Sequence, residues 1–194
     1  MATIDIVSPF EAGEYLQFPG AVASLQSLVT AVSARIDEIC GPVVVRATVE
    51  IFDGNVPDVF LAHAPVSTIT SVVEHSSGVP LTLIAETSTS LPADGYRVRY
   101  EAYIERRNNG YTSMFAPGDV VVTYSAGRAS TTATVSPQFK EAALITISHL
   151  WQTERGTGNA FGVTDTGVSF GPTFSVPRRA LDILGHQIKA PALR

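Results

Sequence analysis

Residues 119–156 constrain this chain more than any other stretch: a strand, a tight turn and a capped helix follow one another directly. The strand is Val120-Val121-Val122-Thr123-Tyr124, β-branched almost throughout, and Ser125-Ala126-Gly127 ends it. Ser136 then supplies an N-cap oxygen and Pro137 a first helical residue that needs no amide partner. Ala142, Leu144, Ile147, Leu150 and Trp151 follow, interrupted only by Thr146, Ser148 and His149, and Gly156 offers the stop. A helix apolar nearly all round must be covered on more than one side. A single helix over 136–155 is therefore expected at the centre of the fold, with Leu144, Ile147 and Trp151 in the core. Nothing in the passage is chemically reactive, so it reads as architecture.

Earlier in the chain, Val22, Leu25, Val29, Val32, Ile36 and Ile39 recur at spacings of three and four, the signature of one helix face. Gly41-Pro42 closes that helix, because proline cannot continue the ladder and restricts the residue before it. Residues 1–20, broken by Pro9, Gly13, Pro19 and Gly20, read as irregular. Strands are expected over 43–52, 59–63, 66–74, 79–84, 96–100 and 102–106, with turns at Asp53-Gly54-Asn55 and Ser76-Ser77-Gly78. The class is α+β: an N-terminal amphipathic helix, a central helix and a short C-terminal helix, with a β-rich insertion over about 43–127 between the first two. Residues 1–156 make the body and 157–194 an extended C-terminal arm.

Two segments stand out as contact candidates. Arg106-Arg107-Asn108-Asn109-Gly110 reads as a polar turn that Tyr111 extends, and a loop tip on a rigid sheet is a common interaction site. Arg106, Arg107 and Tyr111 are its candidate residues, and a merely solvated hairpin tip is the plainer reading. In the arm, Gly158, Gly162, Gly167 and Gly171 space out a polar stretch before Phe170, Phe174, Val176, Pro177, Arg178, Arg179 and Leu181. Ser175-Val176-Pro177 starts a short helix whose apolar face is Ala180, Leu181 and Leu184, with Gly185 after it. Such a segment serves either as a docking hook for a neighbour or as a helix folded back on its own core. Arg178 and Arg179 fall in the first helical turn, where the helix dipole disfavours cations, so acidic groups on a partner would explain them.

Chemistry is harder to find. His63, His75, His149 and His186 lie far apart, and none has a second histidine or cysteine at metal-ligand spacing. Phosphate loops, dinucleotide fingerprints, nucleophile elbows and calcium loops are missing. Cys40 is the lone cysteine, placed where a helix wants an apolar residue, which suits a buried thiol rather than a nucleophile. No catalytic, metal or cofactor residue is assigned. A hydrolase or ligand-binding domain using His149 or His63 stands as the enzyme alternative. The formal net charge of -5 argues against a surface that grips nucleic acid, since phosphates are neutralised by a basic surplus. No apolar run approaches the ~18 residues of a membrane span, and Met1-Ala2-Thr3-Ile4-Asp5 has no signal-peptide character. Only 16% of residues are charged and 45% are hydrophobic, a balance that favours burial of surface between subunits.

The order of short motifs carries a resemblance. Leu61, Pro65, Val66, Ile69 and Val72 form a Leu-x-x-x-Pro-Val-x-x-Ile-x-x-Val pattern, followed by the Val-Thr-Tyr-x-Ala-Gly strand end at 122–127. His149-Leu150-Trp151 with Arg155-Gly156 and then Val176-Pro177 before a short helix complete the series. Over residues 20–188 this resembles the head–tail connector (adaptor, head-completion) proteins of long-tailed double-stranded DNA phages. The resemblance implies a small helical bundle with a β-rich insertion and a homo-oligomeric ring, usually twelvefold, under the portal protein. A tail-side connector or stopper would dock below, and genomic DNA would pass through an acidic or neutral lumen without specific binding. It implies a non-enzymatic virion protein at the head–tail interface, made in the host cytoplasm, with no cofactor and no membrane partner. A tail-completion protein of the same virion is the alternative within that setting. The family's short leading helix has no clear match in the first twenty residues.

Overall fold

A computed structural model describes residues 5–17, 25–84, 94–100, 102–155 and 176–187. The chain divides into two compact units, one of residues 1–43 with 129–194 and one of residues 44–128. It is a mixed α+β protein, with four α-helices among the described residues of the first unit and antiparallel sheets in the second.

The helical unit opens with α1 (Pro9–Tyr15), a helix in a stretch expected to be irregular. Its cause is local. The Ser8 side chain accepts from the Glu11 amide at 3.1 Å while Glu11 Oε2 accepts from the Ser8 amide at 2.7 Å, a reciprocal capping box, and Pro9 fills the first helical position. Ser8→Ala should fray α1 and cost about 1 kcal/mol, read as a lowered urea midpoint. Upstream, the Ile6 amide donates to Ser33 Oγ at 3.0 Å and Gln26 Nε2 to Asp5 Oδ2 at 2.7 Å, so both side chains come from α2 (Gln26–Cys40).

Helix α2 buries Val29, Val32, Ile36 and Cys40 and stops at Gly41, whose φ of 84° ends the ladder as expected. After the β unit the chain returns through a 3-10 turn (Thr132–Thr134) into α3 (Pro137–Arg155), the longest helix among the described residues. α3 packs against α1, α2 and α4 (Arg178–Leu184), which explains its broad apolar surface. Phe139, Ala142, Ala143, Ile147 and Leu150 are buried. Leu144 and Trp151, expected in the core with Ile147, are only half-buried. They lie off the Ala143–Ile147–Leu150 stripe by one position, about 100° of helix rotation.

Among the described residues the β unit holds two sheets. One has the order β1 (Arg46–Asp53), β7 (Asp119–Ala126), β3 (Val66–Glu74). In the other, β5 (Tyr103–Asn108) lies between β2 (Asp58–Phe60) and β4 (Asp94–Arg99), and the short β6 (Tyr111–Thr112) also pairs with β5. Leu61, Val72, Tyr96, Ile104, Phe115, Val122 and Tyr124, drawn from both sheets and their loops, form one core. β3 keeps the limits expected of it, and its mixed pattern has a cause. Register shifts fall between Val66 and Thr68 and between Ile69 and Ser71, so Val66, Ile69 and Val72 pair with Ala126, Tyr124 and Val122 and all pack on the core. Residues 79–84 make only isolated bridges, Val73 to Pro80 and Leu83 to Tyr96, instead of the expected strand. Pro80 has no amide to give a ladder.

Candidate assembly surfaces

The hairpin of β5 and β6 turns at Asn109 and Gly110, with φ of 49° and 84°, a two-residue turn with both centres left-handed. β5 therefore runs on through Arg106 and Arg107, which were expected at the tip. Arg106 is buried. Its Nε donates to Glu74 Oε1 at 2.9 Å, and Nη1 donates to Asp94 Oδ1 at 2.8 Å, Gly95 O at 3.2 Å and Arg107 O at 2.7 Å. Glu74 Oε1 also accepts the Ala116 amide at 2.9 Å, so one carboxylate ties β3 to β5 and to the loop before β7. Burial works against the Arg106 charge, yet Glu74 and Asp94 together raise its pKa. Arg106 is thus a clamp inside the β unit and offers no loop-tip contact.

Arg107 is also engaged, donating to Glu105 Oε2 and to Gly110 O, both at 3.0 Å. What the hairpin offers to solvent is Asn108, Asn109, Thr112 and Tyr111, the last 78% exposed, with Met114 just beyond it at 64%. On Glu105, burial acts against the charge, and the hydrogen bond from Thr112 with Arg107 and Arg99 alongside still brings the carboxyl below its ordinary value.

A second polar cluster joins β1, β7 and the loop after β2. Glu50 Oε1 accepts from the Tyr124 hydroxyl at 2.6 Å and lies 2.7 Å from His63 Nδ1, while Oε2 accepts the Ala62 amide at 3.1 Å. Burial opposes the Glu50 charge, but these three donors more than offset it and lower its pKa. Burial and the Glu50 carboxylate push the Tyr124 phenol up, so it stays protonated as a donor and is no nucleophile at neutral pH. The unfolded chain takes up the Glu50 proton at a higher pH than the folded chain does. The stabilisation is therefore complete above the ordinary carboxylate range and is lost as the pH falls through the folded value. Glu11 and Glu105 are lowered too and act with the same sign. Melting temperature should drop from about pH 5 downwards, and Glu50→Gln should flatten that slope while costing about 1 kcal/mol at neutral pH.

His149, expected within an apolar helix surface, is exposed on α3, and His75 is exposed as well. Among the described residues no group of three or more His, Cys, Asp or Glu could hold a metal ion, and no helix is long and apolar enough to cross a membrane.

Of the arm candidates, Phe170 and Phe174 lie outside the described residues. Val176 and Pro177 are half-buried, and Pro177 caps α4 without a side-chain bond. α4 packs on α3 of its own chain, with Ala180 and Leu184 buried, so this part of the hook folds back on its own helical unit. Leu181 is half-buried, whereas Arg178 and Arg179 face solvent. α1 adds an exposed aromatic that the sequence reading missed, Phe10 at 61% exposure. The Ser8–Glu11 box was the signal that could have found its helix.

No protein-family model and no curated protein matches the chain. Solved structures do. A chain in the neck of an empty gene transfer agent (GTA) particle, computed with C6 symmetry, matches with a TM-score of 0.59 at 13% identity, covering 100% of this chain and 95% of that one. The two chains share a fold. The neck of the native particle, computed with C12 symmetry, gives a TM-score of 0.55 at 14% identity, again covering 100% and 95%. A chain in the virion of the native particle gives 0.58 at 16% identity, covering 81% of this chain and 84% of that one.

Proposed function

We propose that this chain is a structural virion protein, a head-to-tail adaptor that forms a ring below the portal, extends the DNA channel and seats the tail. The observation that carries the reading is the likeness, over nearly the full length of both chains, to a component of particle necks computed with C6 and C12 symmetry. The order of connector-like motifs in the sequence supports it independently. A ring of twelve copies is the arrangement that fits, with the portal above and a tail-side connector or stopper below. The net charge of -5 repeats with every copy, so the lumen lets DNA slide without the counterion release that holds it on basic surfaces.

Docking on a neighbour or the portal falls to the segment after α3, through Phe170, Phe174 and the surface of Val176, Pro177, Arg178, Arg179 and Leu181. Arg178 and Arg179 are exposed and available for acidic groups on a partner. Arg107 and Tyr111 remain loop-tip contact candidates, with Tyr111 the more open of the two. Deleting the gene in the producing strain should leave DNA-filled heads separate from finished tails, with the chain supplied in trans restoring joining. Tailed infectious particles made without the chain would overturn the adaptor reading. Recovery of the chain on purified tails instead of heads would point to tail completion.

A further inference from the structure

We propose that the outer face of the β1–β7–β3 sheet is where a second copy of this chain docks, an inference that rests on the ring reading. The register aligns that face in rows. Val49 pairs with Thr123, which pairs with Ser71, and Ile51 pairs with Val121, which pairs with Val73. The next row, through Ser125, is uncharged as well. Opposite side chains on these strands pack inward, Phe52, Val72 and Val122 among them, so the sheet is apolar on both faces. Yet Val49 is 60% exposed and Ile51 66%.

Two features of the face select its occupant. Each copy carries a charge of -5, so copies repel except where charge is missing, and this grid is such a place. Asp53 and Asp119 pair with each other at one end of the sheet, outside the uncharged rows. Among the described residues β1 is also an edge of that three-stranded sheet, and although Glu50 turns inward, its outward positions Ala47, Val49 and Ile51 carry neither the charge nor the proline that would keep a neighbour off this face. From strand spacing the grid covers on the order of 300 Å². That is less than half of the roughly 800 Å² per partner of a stable pairwise interface. A patch of this size does not hold two free copies together. It suffices as one part of a contact between copies already placed side by side.

Cys40 is the only cysteine and is buried, so an Ile51→Cys variant carries a single reactive thiol. Free protein should react with a maleimide at full rate, and assembled particles at least tenfold more slowly. A short maleimide–diazirine linker on that thiol, activated in particles, should yield cross-linked dimers of this chain. Unchanged reactivity in particles would overturn the proposal, and so would adducts confined to the portal, the tail-side protein or the same chain. Ile51→Asp gives a second route: its circular dichroism and melting should match the parent, while infectious particles fall at least tenfold. Normal infectivity of that variant would also overturn the proposal. A neck that contains the chain but leaves this face open removes only the docking proposal, whereas particles whose neck lacks the wild-type chain remove the adaptor reading and the docking with it.

Discussion

Arg106→Ala is expected to destabilise the β unit by about 3–5 kcal/mol, because it strands the buried Glu74 carboxylate without its charged partner. The two side chains are 8% and 6% exposed. The guanidinium does more than neutralise one charge. It reaches Glu74, Asp94 and two backbone carbonyls at once, so the fan of donors is used in several directions. Arg106→Lys keeps the charge but not the fan and should recover only a minority of the loss. Replacing the pair by Glu74→Leu with Arg106→Met removes the buried charges, yet leaves the Ala116 amide without its acceptor. The double variant should therefore stay below the parent. Urea unfolding followed by circular dichroism reads all four proteins, and a loss under about 1 kcal/mol for Arg106→Ala would show that the clamp is dispensable.

The second large effect is expected at Gly54, in the turn after β1. Its amide donates to Gly118 O at 2.7 Å, and the neighbouring Asn55 amide donates to Phe115 O at 3.1 Å, so two stretches of backbone run side by side there. A Cβ at Gly54 would overlap the carbonyl oxygen of Ala116 and lie 2.6 Å from that of Gly118. Backbone cannot swing aside as a side-chain tip can, and Gly54→Ala should cost about 3 kcal/mol. Gly78 is the control. It has a φ of +63° but nothing within 4 Å of an added Cβ, so Gly78→Ala meets only local strain, about 1 kcal/mol. Equal melting temperatures for the two variants would contradict the close-approach argument.

Much of the fold was legible because it is punctuated locally. Gly41-Pro42 ends α2, Ser136-Pro137 opens α3, and the β-branched run at 120–124 forms the middle of β7. Where punctuation was misread, the signal was nonetheless present. Ser8, Pro9 and Glu11 spell a capped helix that Gly13 and the short length disguised. Asn109-Gly110 is a complete turn by itself, and treating all of 106–110 as the turn took two residues away from β5. The Arg106 clamp was illegible for a different reason: Glu74 stands 32 positions earlier, and no local pattern announces a partner at that distance. The exposed sheet face was hidden too. When both faces of a strand carry apolar residues, alternation cannot tell which face the fold covers.

The Ala129 amide donates to the Val43 carbonyl at 2.9 Å, so the chain comes back to within one hydrogen bond of the point at which it leaves the helical unit. Whatever lies between those two residues enters and exits through a gap one peptide wide. The entropy of closing such a loop grows only logarithmically, by about 0.6 kcal/mol for each doubling of its length. The helical unit is therefore almost indifferent to how long the inserted segment is. Lineages can lengthen, trim or exchange residues 44–128 as one cassette while the helices keep their own packing. On that account the two halves of the protein are free to diverge at different rates, and relatives should be easier to recognise by their helical frame than by the sheets it carries.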